Sequence, residues 1–476
     1  MKTRRHHLLV AGALLLATAL VGAAARGSGR AAAPVPTGGS ITFSAPAAGP
    51  VSFSGHLDRR AVRVGQDGTV RMELVMAAAP GMTERSVRRA TDLVIVFDRS
   101  GSMAGDKMEH ARAAVRELLA QLGPEDRFAL VTYADDAAIP IPLTPVAESA
   151  RAAWVGTLSE IRPDGSTNMS SGLDLGIDLI ERGRSTERVP HVMLISDGLA
   201  NQGDATFEGL TRRAQRAARG EYMLSAIGVG TDFNEYLMTA LADAGTGNYY
   251  YLRNANDLGG VFAREFDAAR TTVATGLAVR IEPGPGVRVI DAAGYPLEPA
   301  GTGVVFRPGS LFAGQQRRVW VTLAVPHEAV GEYDLGRFTL SHGEGSARAS
   351  LSFGEMPRVA CVQQDDEFYR GVDVAAWTRS VVVDAYNKMQ EEVAREVKAG
   401  RRDEALQRLR AFKDETAALN ARLQSAPVAS QLESADRLEA EVSAAFRGVG
   451  QAERQNELSK STSARALDAR RAGSKK

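Results

Sequence analysis

The chain has 476 residues, enough for roughly two to four domains. Apolar residues make up 44% and charged residues 24%, an ordinary globular composition. The 57 basic and 57 acidic residues cancel, so charge makes no case for nucleic acid as the main partner, and the single cysteine, Cys361, excludes an internal disulfide framework.

The N-terminus reads as a targeting segment. Lys2, Arg4 and Arg5 precede an apolar stretch from Leu8 to Ala25, and Ala23-Ala24-Ala25 offers a small-residue cleavage site. We expect a signal peptide over 1–25, with an uncleaved membrane anchor as the alternative, and hence an exported protein of the periplasm or cell surface. Residues 26–39, rich in Gly, Ala and Pro, read as a linker. Residues 40–86 hold short alternating runs around Gln66-Asp67-Gly68, a turn between strands.

From Thr91 the pattern changes to alternating strands and helices, the mark of a doubly wound, Rossmann-like sheet over 87–273. Apolar strands are expected at 91–97, 127–133, 189–196 and 223–228, with a proline-bearing edge strand at 139–143. Helices are expected near 146–161, 169–182, 207–219, 234–242 and 258–272, with a further one carried by Met108, Ala111, Val115 and Leu118. Period-two patterning returns over 274–355. The few strands of 40–86 cannot bury a core alone, so they are expected to pair with those of 274–355. The α/β domain is then an insertion in a discontinuous β-sandwich. Residues 356–446 carry three helical stripes, interrupted at Gly400 and Pro427, that suit a small hairpin or bundle. The polar, basic tail, 447–476, is expected to be disordered.

The stretch Asp98-Arg99-Ser100-Gly101-Ser102 follows the first apolar strand of the α/β region. A strand ending in Asp, then two hydroxyls around a Gly, builds an oxygen-rich turn of the kind hard divalent cations prefer. The carboxyl end of a parallel strand is also where open α/β sheets bind ligands. Two later loops, Gly165-Ser166-Thr167-Asn168 and Ile195-Ser196-Asp197-Gly198, stand at comparable positions. Each residue alone has a plainer reading: Ser100, Ser102 or Thr167 as a helix cap, Asp197-Gly198 as a turn. Asp135 and Asp136 read as a solvated turn.

Together the three loops resemble the metal-ion-dependent adhesion site of von Willebrand factor type A domains, and 91–272 is the part of the chain that the resemblance covers. The flanking regions are also similar to bacterial homologues of calcium-activated chloride channel proteins, but no later apolar segment could form a pore. The resemblance implies that Asp98, Ser100, Ser102, Thr167 and Asp197 hold Mg²⁺, or Mn²⁺ or Ca²⁺. Ser100 and Ser102 would bind directly, Thr167 directly or through water, and the two carboxylates mainly through water. The open position would take an Asp or Glu carboxylate of a partner protein. It implies a non-enzymatic, metal-dependent binding module without catalytic residues. The alternatives are a structural envelope protein that binds through its helical tail, and a metal-dependent hydrolase. No G-x-S-x-G, H-E-x-x-H or phosphate-loop pattern is present in the sequence.

Overall fold

A computed structural model of the chain describes residues 41–46, 49–80, 90–185, 188–229, 234–252, 272–344, 347–355 and 357–474. The signal peptide and linker expected over 1–39 lie outside these residues, as does all but Thr272 of the helix expected over 258–272.

Four strands come first: β1 (Thr42–Ser44), β2 (Val51–Leu57), β3 (Ala61–Arg63) and β4 (Thr69–Ala78). The α/β domain follows with β5 (Ala90–Asp98), α1 (Asp106–Gln121), β6 (Arg127–Tyr133), β7 (Ala137–Pro145), α2 (Glu148–Glu160), α3 (Met169–Arg182) and β8 (Arg188–Ser196). It continues through α4 (Phe207–Arg219), β9 (Met223–Val229), α5 (Glu235–Ala244) and β10 (Thr246–Leu252). Its six-stranded sheet has the order β10-β9-β8-β5-β6-β7. All neighbours are parallel except the edge strand β7, which runs antiparallel to β6.

The central strands are continuous apolar runs because both faces are covered. Alternate residues separate cleanly. Leu93, Ile95 and Phe97 face α1 and α2 through Met108, Val115, Leu118 and Trp154. Val94 and Val96 face α3, α4 and α5 through Leu173, Ile177, Leu210 and Leu241. Each such large side chain contributes about 1.5–3 kcal/mol by burial. Helix α3 lies close to the sheet because Gly172 bears no side chain, and a Cβ there would stand 2.4 Å from the Tyr133 ring.

After the domain come β11 (Thr272–Glu282), β12 (Arg288–Ala292), β13 (Glu298–Ala300), β14 (Gly303–Phe312), β15 (Gln316–Ala324), β16 (Gly331–Asp334), β17 (Arg337–Glu344), β18 (Ala347–Ser352) and β19 (Arg358–Val362). Two five-stranded sheets, β1-β2-β4-β15-β12 and β13-β14-β11-β17-β18, share one core. Phe53, Met72 and Leu74 from the first sheet meet Leu277, Phe306 and Phe338 from the second. The antiparallel β4–β15 ladder joins residues 69–77 to 316–324, on opposite sides of the α/β domain in sequence. That domain is therefore an insertion. A small third sheet, β16-β19-β3, completes the β part and holds Cys361 fully buried.

The helical region contains α6 (Asp365–Arg370), α7 (Val374–Arg379), a π-helical stretch Ser380–Ala385, α8 (Tyr386–Lys398), α9 (Arg402–Leu423), α10 (Ala426–Ala445) and α11 (Gln451–Ser474). Pro427 opens α10, where its missing N–H is no loss. The expectation of a disordered tail over 447–476 is corrected by α11. Ser459, Thr462 and Ala466, spaced three and four apart, are all buried, and the Ser459 hydroxyl donates to the Ala394 carbonyl at 2.9 Å. Apart from Leu458, which packs on the core of the helical region, this face is built from small and hydroxyl-bearing residues, so its hydrophobic period is weak.

Candidate functional site: three loops at the carboxyl ends of β5 and β8

Strand register builds the site. Asp98, the last residue of β5, is paired with Tyr133 of β6. On the other side Phe97 is paired with Ile195 of β8, which brings Ser196 beside Asp98. Both neighbours donate to the Asp98 Oδ2 atom, the Ser196 hydroxyl at 2.5 Å and the Tyr133 phenol at 3.1 Å. The other oxygen, Oδ1, accepts the Ser100 backbone N–H at 2.8 Å and the Ser100 hydroxyl at 2.6 Å. Ser100 Oγ in turn lies 3.1 Å from Ser102 Oγ.

Asp98, Ser100, Thr167 and Asp197 are buried, whereas Ser102 and Gly101 are exposed. The site therefore opens to solvent on the side of Ser102. Burial pushes the Asp98 carboxyl above its ordinary pKa and the negative charge of Asp197 adds to this, against the hydrogen bonds from Ser100 and Ser196. The Tyr133 phenol is pushed well up by burial and by the neighbouring Asp98. Asp197 is answered by Lys107 of α1, whose ammonium lies 3.0 Å from Oδ2.

The loops are tied to one another by backbone. Gly101 N–H donates to the Gly165 carbonyl at 3.0 Å and Asp164 N–H to the Arg99 carbonyl at 2.8 Å, joining the first loop to the second. The Asn201 side chain accepts the Thr167 N–H at 2.8 Å, and the Thr167 carbonyl accepts the Asn201 N–H at 3.1 Å, joining the second to the third. Asp135, exposed as expected of a turn, also braces the second loop, because its carboxylate accepts the Ser166 N–H at 2.8 Å. Gly165 has φ +75, and a Cβ on it would stand 2.7 Å from Asp135 Oδ2.

The plainer readings of these residues as caps do not hold. Helix α1 starts after Gly105 without a side-chain cap, and α3 is capped by Asn168, which accepts the Ser171 N–H. The structure links Asp98, Ser100 and Ser102 by hydrogen bonds and sets Asp197 at the adjacent strand end, where its charge acts on Asp98, with Thr167 on the loop clamped to the first and third. Sequence reading missed Ser196, Tyr133, Lys107 and Asn201. Lys107 alone carried a signal, a cation in the first turn of a helix, where the dipole disfavours positive charge.

An all-oxygen set of two carboxylates and hydroxyls suits a hard divalent cation. One buried carboxylate, Asp98, is held by hydroxyls and a backbone N–H, and a cation near it would relieve the burial. Among the described residues, no group of three or more His, Cys, Asp or Glu side chains is placed to hold a metal ion.

Residues 92–264 match the family model of the von Willebrand factor type A domain. The chain carries a von Willebrand factor type A domain. It is 29% identical over 195 residues to the uncharacterised protein YfbK of Escherichia coli (strain K12), a match covering 40% of this chain and 34% of that protein. The chain thus spans about a third of that relative's length. It is 22% identical over 333 residues to the uncharacterised protein sll0103 of Synechocystis sp., covering 68% of this chain and 78% of the relative. The human inter-alpha-trypsin inhibitor heavy chain H4 is 28% identical over 161 residues, 32% of this chain and 17% of that one. Among solved structures, the von Willebrand factor type A protein from Catenulispora acidiphila aligns over 91% of this chain and 97% of its own, at 18% identity and a TM-score of 0.60. That likeness shows a shared fold. No helix among the described residues is long and apolar enough to cross a membrane.

Proposed function

We propose that the chain is an exported, non-enzymatic protein-binding module whose von Willebrand factor type A domain takes a divalent cation, Mg²⁺ before Mn²⁺ or Ca²⁺, and recognises a partner's Asp or Glu side chain. Asp98, Ser100, Ser102, Thr167 and Asp197 would hold the ion. When bound, it supplies a positive charge facing solvent at which a carboxylate can dock. The observation that carries this reading is the pair of fully buried carboxylates, Asp98 and Asp197, at the ends of adjacent parallel strands, with a solvent-exposed hydroxyl, Ser102, in the same cluster. Burying two carboxylates side by side is unfavourable unless positive charge is brought to them; Lys107 brings one such charge to Asp197, whereas the hydrogen-bond donors on Asp98, from Ser100, Ser196 and Tyr133, are all neutral.

The surrounding residues divide the work of positioning. Ser196 and Tyr133 orient Asp98, and Asn201 and Asp135 hold the second loop in register with the first and third. Export is supported by the apolar stretch from Leu8 to Ala25 behind its basic start, with the periplasm or cell surface as destination and an uncleaved anchor as the alternative.

Calorimetry with Mg²⁺ and Mn²⁺ on the wild type and on Asp98→Ala tests the metal. The wild type should bind and the variant should not; silence in the wild type removes the reading. Pull-down from envelope extracts with and without EDTA tests the partner. Capture that persists unchanged in EDTA is incompatible with recognition through the ion.

A further inference from the structure

Lys107 is the second residue of α1, at the end of the helix where its dipole repels a cation. Its ammonium reaches across to Asp197, 90 residues away in sequence, at 3.0 Å. The Asp197 side chain is fully buried, while the Lys107 side chain keeps 22% of its exposure. Asp98, by contrast, is held by Ser100, Ser196 and Tyr133. One of the two carboxylates therefore already has a cation of its own, on a side chain long and exposed enough to swing away.

We propose that Lys107 is a built-in competitor for Asp197, which sets how tightly the site takes a divalent cation. The proposal rests on the metal-binding reading above. A divalent ion drawing on Asp197 meets the ammonium at close range, and like charges a few ångströms apart in a partly buried site repel strongly. Charge balance gives the arrangement a purpose. Two carboxylates, one ammonium and one divalent ion leave a single net positive charge, which one incoming carboxylate cancels. Without Lys107 the loaded site would be neutral overall, and an incoming carboxylate would be drawn to the ion less strongly. Weaker hold on the ion is thus exchanged for a charged docking point.

The test is Mg²⁺ calorimetry and thermal melting of the full chain, as wild type, Lys107→Met and Lys107→Arg. Lys107→Met should bind Mg²⁺ roughly tenfold or more tightly than the wild type, and Lys107→Arg within roughly threefold of it. In EDTA, Lys107→Met should melt below the wild type, because Asp197 is left buried without a cation, and saturating Mg²⁺ should close that gap. Equal or weaker Mg²⁺ binding by Lys107→Met overturns the proposal and makes Lys107 a support of the loaded site. Should Lys107→Met fail to fold in EDTA, refolding in Mg²⁺ must restore it, and failure to do so also overturns the proposal. No binding by the wild type removes instead the reading on which the proposal rests.

Discussion

The Ser196 hydroxyl joins two ends of the site: it donates to Asp98 Oδ2 at 2.5 Å and accepts the Gly198 backbone N–H at 2.9 Å. One atom thus fixes both the carboxylate at the end of β5 and the turn that carries Asp197. Ser196→Ala removes the donor and leaves the Gly198 amide without its acceptor. We expect a loss of about 1–3 kcal/mol in unfolding free energy, read from denaturant titration, together with weaker Mg²⁺ binding. A stability unchanged within error would mean that the hydroxyl is not the link between the two loops.

Gly165 makes a second prediction. Its φ of +75 lies in the left-handed region, and the space beside it is filled by Asp135. Gly165→Ala should cost about 1–2 kcal/mol from backbone conformation alone. It should also disturb the Asp135 bond to the Ser166 N–H, and with it the position of Thr167. The check is whether Asp135→Ala, which frees the space, lessens the penalty in a double-mutant cycle.

The site was partly legible in the sequence, and the division has a physical cause. Asp98, Ser100 and Ser102 lie within five residues, and a local turn is encoded locally. Thr167 and Asp197 stand far along the chain and could be chosen over other hydroxyls and carboxylates only through the family resemblance. Tyr133 and Ser196 owe their roles to sheet register, since β6 and β8 flank β5 and bring them to either side of Asp98. Nothing local marks a tyrosine or serine at the end of an apolar strand as a neighbour of that carboxylate. The fold was more legible, because the change from alternating strands to strand–helix repeats and back is a difference in period. The tail was misread because the buried face of α11 carries Ser459 and Thr462, which count as polar in any pattern.

Asp204 gives a pH dependence. Its carboxylate accepts the Thr206 hydroxyl at 2.6 Å and the Arg213 guanidinium at 2.8 Å, and these hold its pKa down at about 2. A carboxyl whose folded pKa lies below its unfolded value of about 3.9 adds stability above that value and loses it as pH falls toward the folded one. The stability difference between the wild type and Asp204→Asn should therefore be constant above about pH 5 and should close between about pH 4 and pH 2. A difference that persists unchanged to pH 2 would assign the effect of the substitution to packing and not to charge.

Helix α11 separates a docked element from a loose tail through two adjacent hydroxyl residues. Thr462 is fully buried, whereas its neighbour Ser461 is exposed. On the same helix, Ser459 is tied to α8 through the Ala394 carbonyl, and Arg465 lies 3.0 Å from Glu441 of α10. Thr462→Glu would force a longer, charged side chain into a fully buried position beside Arg465, whose guanidinium lies 3.3 Å from the present hydroxyl, and should destabilise the helical region by about 1–3 kcal/mol through overpacking. Ser461→Glu should be silent within about 0.5 kcal/mol. A disordered tail would tolerate both substitutions alike. Amide hydrogen exchange over 451–474 reads the same contrast directly: slow exchange in the wild type and in Ser461→Glu, fast exchange in Thr462→Glu. Equal exchange in all three chains would refute the packing of α11 against α8.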